Sequence, residues 1–492
     1  MRFGRNIRVL MLGWEYPPRF AGGLGKACQG LSQALARSGV QVFFVLPTFP
    51  ERLSETHLEV VGARECLLEA GWNLDEVSPY RVDEGVSEKG AGLVRLQSEA
   101  KLFPYGQHPE GPMSQNLRDA IDRMSSGEPI LGISGEVGNS FSQDFKLPQI
   151  KPFGQRLESQ RIQKEISTPA SEIYGKNLWS EIDRFCATVR HLAEAHEVDL
   201  VHAHDWMTFP AAFEFQRATG VPVFLHVHAT EYDRSGENLN HEVFRIEREG
   251  FRKANHIFAV SRYTAGMIER LYGIPKNKIS VVYNAPEEGS KLPLFSADFE
   301  RKPQVVFLGR LTFQKGPDHF LRAAALVCEA NREAQFVFCG TGDLLDQLRA
   351  QAHRLGIEDR VHFAGFMNPT EVDEILLHSR VLVMPSVSEP FGLVALEAIR
   401  CGIPVILSKQ SGVREVLNRA LQVDFWDHEK LADQILAALR LKGLSQQLVD
   451  EGMGQLRQLS WNNSASQVIA GYRQSLEKIN HMSDHISDHF SE

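Results

Sequence analysis

The stretch VLVMPSVSEPFGLVALEAIR, residues 381–400, holds the unit from which the rest of the chain can be read. Val381–Pro385 is apolar and β-rich. Pro390 and Gly392 then break the chain, and Leu393 opens a run with helical spacing that ends near Arg400. A strand, a broken loop and a helix make half of a βαβ crossover. That is the building block of a parallel sheet covered by helices.

The same rhythm extends in both directions. In the C-terminal half, strands are expected at Gln304–Leu308, Gln335–Cys339, Arg360–Ala364 and Pro404–Leu407, with a helix at Pro317–Glu329. In the N-terminal half, Ile7–Gly13 reads as a strand. Leu24, Ala27, Cys28, Leu31, Ala34 and Leu35 then fall at helical spacing, and Gly39 stops that helix. Further strands are expected at Val40–Leu46, Asp199–His202, Val221–Val227, His256–Val260 and Ile279–Tyr283. The polar stretch Pro286–Arg301 reads as a linker. The expected fold is α/β, with two Rossmann-like domains facing each other across a cleft and parallel sheets covered by helices. Residues 1–287 are expected to form the first domain and 288–458 the second. A helix from 459, patterned to about 478, packs back on the first domain and ends in a flexible tail at 492. Residues 84–170 form a polar, weakly periodic insertion, either a lid or partly disordered.

The bulk properties bound the answer. A chain of 492 residues exceeds one ordinary core. Apolar residues at 43% and charged residues at 23% suit a globular protein. No apolar run approaches the roughly 20 residues of a membrane span, and the start has no signal-peptide pattern. A net charge of −9 argues against a dominant nucleic-acid or anionic-membrane role. The six cysteines are scattered without a CxxC, which points to a reducing cytoplasm.

Four groups of residues can carry chemistry. Gly22-Gly23 with Gly25, between a strand and a helix, lets backbone approach a phosphate or sugar; the alternative is a tight turn. In Gly309–Gly316, Arg310 and Lys315 follow a strand and precede a helix, a favourable place for an anion. Glu389 sits just outside the helix opened by Leu393, and Glu397 one turn inside it. Both can face one cavity and accept sugar hydroxyls, although in isolation they read as a cap and a surface glutamate. Finally, His202 with His204 and His226 with His228 follow apolar strands. Four histidines suggest zinc, but no third ligand type recurs at metal spacing, so no metal is expected. Trp206 beside Asp205 reads either as a sugar-stacking platform or as a core indole.

The ordered set resembles the retaining GT-B glycosyltransferases, the family that includes bacterial and archaeal glycogen synthases and sucrose synthases. The motifs are Gly22–Leu24, His202–Trp206, His228–Arg234, Val260–Thr264, Asn284–Pro286, Gly309–Gly316, Gly340–Asp343 and Glu389–Glu397. The resemblance covers about residues 6–50 and 172–475 and implies the following roles. Glu397 holds the nucleotide ribose and Glu389 the transferred sugar, while Arg310 and Lys315 bind the diphosphate. Gly22, Gly23 and the backbone of Gly392, Leu393 and Val394 cradle phosphate and sugar. Phe366 lies near the base and His228 near the reacting carbon. Glu15, Tyr16, Asp205 and Trp206 face the acceptor.

It also implies that residues 1–287 bind the acceptor and 288–458 the nucleotide sugar, in a cytoplasmic, metal-independent hexosyltransferase that needs no cofactor beyond that nucleotide sugar as co-substrate. The leading expectation is glucose transfer from ADP- or UDP-glucose to a glucan. The alternatives are a small-sugar, lipid or surface-glycan acceptor, and a non-catalytic glycan-binding protein. One departure stands out: glycogen synthases typically carry Lys-x-Gly-Gly, and Phe20 occupies that lysine position here, so either Arg19 substitutes or that phosphate contact is absent.

Overall fold

The computed structural model describes residues 7–17, 22–47, 53–55, 57–63, 118, 178–287 and 301–489. Apart from Arg118, the insertion read at 84–170 lies outside the described residues, as does most of the linker. The N-terminal half contains β1 (Arg8–Leu12), α1 (Gly23–Arg37), β2 (Gln41–Leu46), β3 (Leu53–Glu55), β4 (Leu58–Gly62) and α2 (Leu178–Ala195). It continues with β5 (Leu200–His204), α3 (Phe209–Thr219), β6 (Val223–Val227), α4 (Glu231–Ser235), α5 (His241–Lys253), β7 (His256–Ala259), α6 (Arg262–Tyr272) and β8 (Ile279–Val281). The C-terminal half contains β9 (Gln304–Leu308), α7 (Pro317–Ala330), β10 (Gln335–Cys339), α8 (Leu345–Arg354), β11 (Val361–Gly365), α9 (Pro369–His378) and β12 (Val381–Met384). After these come α10 (Leu393–Arg400), β13 (Val405–Ser408), β14 (Leu421–Val423), α11 (His428–Arg440), α12 (Lys442–Leu456) and α13 (Trp461–His489).

These strands form two sheets. The first has the order β3-β4-β2-β1-β5-β6-β7-β8, parallel throughout except for the edge strand β3. The second, β11-β10-β9-β12-β13-β14, is wholly parallel. The strands are continuous apolar runs because both faces are covered. Leu10 and Leu12 enter one core layer while Val9 and Met11 enter the opposite one. Val305 and Phe307 are likewise split from Val306 in the second sheet.

Each sheet reverses its strand order once, between β1 and β5 and between β9 and β12. In doubly wound sheets, ligands bind outside the carboxyl ends of the strands at such switch points. The loops leaving β1, β5, β9 and β12 are the ones that carry Gly22-Gly23, Asp205, Arg310–Lys315 and Glu389.

The last helix, α13, leaves the second half of the chain and buries Trp461, Ala465, Val468 and Tyr472 in the N-terminal core beside α1. Gly30 on α1 makes room for it: a Cβ there would lie 2.2 Å from the Trp461 ring. Three strands were not expected from sequence. Strands β3 and β14 have only three residues each, too few to show a period, and β4 (Leu58–Gly62) was not read as a strand. The helix expected to about 478 continues to His489.

Candidate active site at the two switch points

The C-terminal side of the site is a loop pinned by its own backbone. Glu389 donates its N–H to the Gln410 carbonyl at 2.9 Å and accepts from the Gly412 N–H at 2.8 Å. Gly392 then turns the chain at φ 110°, where a Cβ would meet Met384 Cε at 2.7 Å, and α10 begins. The first-turn amides of α10, at Leu393 and Val394, have no partner within their helix and carry its positive end. The Glu389 carboxylate is buried, 7% exposed. It accepts from Lys315 Nζ at 2.6 Å and from Ser386 Oγ at 3.3 Å.

Lys315 stands at the end of the loop after β9, where Gly316 adopts φ 65° and a Cβ would strike the Pro385 carbonyl oxygen at 2.2 Å. Arg310, in the same loop, donates to Gln314 Oε1 at 3.3 Å. Glu397 on α10 is half-buried, and its carboxylate accepts from Lys26 Nζ of α1 at 2.6 Å. Phe366, after β11, is 56% exposed.

On the N-terminal side, the register of β5 against β6 sets His204 beside His226. Four imidazoles result, with neighbouring ring planes 14–30° apart. His204 Nδ1 and His228 Nε2 are 2.9 Å apart with ring centroids at 5.2 Å. His202 Nε2 and His226 Nδ1 are 3.2 Å apart with centroids at 5.3 Å. Such spacings mean that each pair meets head-on and shares a proton. His202 also hydrogen-bonds with the Tyr472 hydroxyl of α13.

Two sets of three potential metal ligands lie within 4.8 Å here, Cys28-His204-His228 and His202-His204-His226. In each head-on pair the N–H of one ring points at the lone pair of the other, whereas a tetrahedral ion needs lone pairs that converge on a separate point. The cluster therefore fits a hydrogen-bonded tier better than a metal centre. Burial holds all four imidazoles neutral: His202, His204 and His226 are well below the ordinary histidine value, and His228 is lowered to about 3.

Asp205 fixes the loop that bears His228. Its Oδ1 accepts from the His228 N–H at 2.7 Å and the Ala229 N–H at 3.4 Å. Burial raises its carboxyl to about 7, against the opposing pull of Arg234 and the two amides. Its backbone sits at φ 58°, ψ 165°, a region that side chains rarely adopt. Beneath this loop, Arg234 pairs with Glu231 and Glu247, and Tyr272 donates to Glu247.

The four residues expected to face the acceptor lie inside the fold. Glu15, Tyr16, Asp205 and Trp206 are 2%, 0%, 2% and 4% exposed. Trp206 packs edge-on against Trp179 of α2, and Tyr16 against Phe44. These side chains support the site from inside and offer no open aromatic face.

The two sides meet directly, through contacts that sequence reasoning missed. Ser261 Oγ donates to the Pro390 carbonyl at 2.6 Å, and Ser388 Oγ donates to Asp233 Oδ1. Glu415 accepts from the Arg262 and Tyr263 amides at the start of α6. A Cβ on Gly23 would be 3.5 Å from Leu393, so the N-termini of α1 and α10 abut.

Three family models match successive parts of the chain. They are the starch synthase catalytic domain over residues 8–126, glycosyltransferase family 4 over 154–286 and glycosyl transferases group 1 over 294–454. An uncharacterized glycosyltransferase of Methanocaldococcus jannaschii is 27% identical, covering 96% of this chain and 100% of its own length. A glycogen synthase of Mycobacterium tuberculosis is 25% identical over 84% of this chain and 80% of its own. The chain is a glycosyltransferase of the GT-B type. In fold, this glycosyltransferase is similar to sucrose-phosphate synthase from Thermosynechococcus elongatus, with TM-score 0.62 at 15% identity, covering 95% and 99% of the two chains. Among its described residues, no helix is long and apolar enough to cross a membrane.

Proposed function

We propose that this glycosyltransferase moves a hexose, glucose in the leading reading, from ADP- or UDP-glucose to a glucan with retention of configuration and without a metal. The observation that carries this reading is the meeting of Arg310, Lys315, Glu389, Glu397 and the α10 N-terminus at one switch point, opposite His228 at the other. The bond from the anomeric carbon to the diphosphate oxygen breaks, and its electron pair leaves with the diphosphate. The acceptor oxygen bonds to that carbon on the same face and passes its proton to the departing phosphate oxygen. Arg310, Lys315 and the Leu393–Val394 amides stand where negative charge develops, the placement that lowers such a barrier most. Glu397 takes the ribose hydroxyls and Glu389 those of the sugar. Phe366 offers an exposed face to the base. His228, neutral and held by His204 and Asp205, lines the reacting sugar.

The glucan acceptor is supported by the starch-synthase match at the N-terminus and by the glycogen synthase relative. The test is nucleotide release from ADP- and UDP-glucose with and without glycogen. Stimulation by glycogen supports the reading, and release indifferent to glycogen removes the glucan.

A further inference from the structure

The two glutamates of the donor loop share one arrangement: each is capped by a lysine at 2.6 Å, Glu389 by Lys315 and Glu397 by Lys26. Lys315 belongs to the diphosphate loop. Lys26 comes from the opposite sheet, from a helix whose only expected contribution was its glycine turn. We propose that Lys26 is a donor-binding cation for the diphosphate, supplied by the N-terminal half and standing in for the lysine that Phe20 replaces. This inference rests on the donor-site reading above.

The geometry carries it in three steps. Lys26 lies three residues after Gly23, on the face of α1 shared with its first turn. Helical side chains lean toward their N-terminus, so its long stem returns the ammonium to the mouth of α1. Glu397 leans the same way on α10, over the turn that begins at Leu393. The point where Lys26 Nζ meets the carboxylate therefore lies beside the α10 amides, where phosphate is expected. The two helix ends abut at Gly23 and Leu393, and around Gly22 there is open space among the described residues.

The pair also neutralises a half-buried carboxylate. When donor enters, the Glu397 oxygens have capacity for ribose hydroxyls, and the ammonium has two further protons to give to phosphate oxygens. Lysine is suited to this as a compact, mobile point charge.

The test compares wild type with K26M and K26R for binding of ADP and UDP by titration calorimetry, and of adenosine and uridine by competition. Thermal melts show that each variant is folded. The expected result is that K26M weakens the diphosphate that wild type binds by about tenfold or more. The matching nucleoside should change less than about twofold, and K26R should recover most of the loss. Unchanged diphosphate affinity, or an equal loss for nucleoside and diphosphate, overturns the proposal; the second outcome would make Lys26 a prop for Glu397. If wild type binds neither ADP nor UDP, the donor reading itself fails and this inference with it.

Discussion

Replacing Lys315 by methionine separates the stability role of its ion pair from the catalytic role proposed for it. The ammonium lies 2.6 Å from Glu389 Oε2, with side chains 21% and 9% exposed. An exposed pair is worth about 0–1 kcal/mol, and breaking a fully buried one costs about 3–5 kcal/mol. This intermediate case should cost about 2 kcal/mol, because Glu389 is left charged with only Ser386 beside it. Turnover should fall further than stability explains. Loss of one charge-assisted contact to the leaving diphosphate costs about 1.5–3 kcal/mol, or roughly ten- to 150-fold in kcat/KM. The double variant K315M/E389Q removes the stranded charge, so its denaturation midpoint should return toward wild type while its activity stays low. Urea unfolding and initial rates of nucleotide release measure the two effects. Activity of K315M within about twofold of wild type, or recovery of activity together with stability in the double variant, would refute the assignment.

Three other outcomes follow from the site and its supports. At Asp205, alanine strands two buried amides and keeps the strained backbone, so D205A should lose about 2–4 kcal/mol. D205G should be less damaging, since it relieves strain of about 1–3 kcal/mol, and D205N mildest; equal unfolding midpoints for D205A and D205G would remove the strain argument. The buried histidines have folded-state values below their unfolded value near 6.5. Their contribution is complete above that pH and is lost as pH falls toward about 3, the value to which His228 is lowered. Asp205, raised to about 7, and Glu247, raised to about 8, act with the opposite sign and cost stability as pH rises from about 4 through those values. Removing one histidine with H226F should therefore shrink the drop in melting temperature between pH 7 and pH 5; an unchanged or larger drop contradicts the neutral-tier description. Finally, G30A should cost about 1–3 kcal/mol by overpacking Trp461. A fully wild-type melt would mean that α13 does not dock on α1 as described.

Much of this site was legible in the chain because local chemistry dictated it. An apolar strand broken by Pro390 and Gly392 leaves little choice but a loop before α10, and Glu397 one turn inside follows from helix geometry. The parallel sheets followed from the alternation of strands and helices along the chain. What could not be read depends on partners far apart in sequence. Lys26 meets Glu397 across 371 positions, and only the abutting ends of α1 and α10 bring them together. The head-on imidazole pairs depend on the β5–β6 register, which a single strand does not reveal. Trp206 was ambiguous between sugar platform and core, and packing against Trp179 of α2 decided for the core. Strands β3 and β14 were too short to leave a pattern.

In the proposed function, the two switch points together form a donor site for a nucleotide glucose, working toward a glucan. The most direct measurement is the rate of nucleotide release by purified protein from ADP-, UDP- and GDP-sugars, each with and without glycogen. The expected result is release from ADP- or UDP-glucose that glycogen accelerates, with glucose added to the polymer through an α linkage. Release confined to a GDP-sugar or another hexose, at a rate that glycogen leaves unchanged, would contradict it.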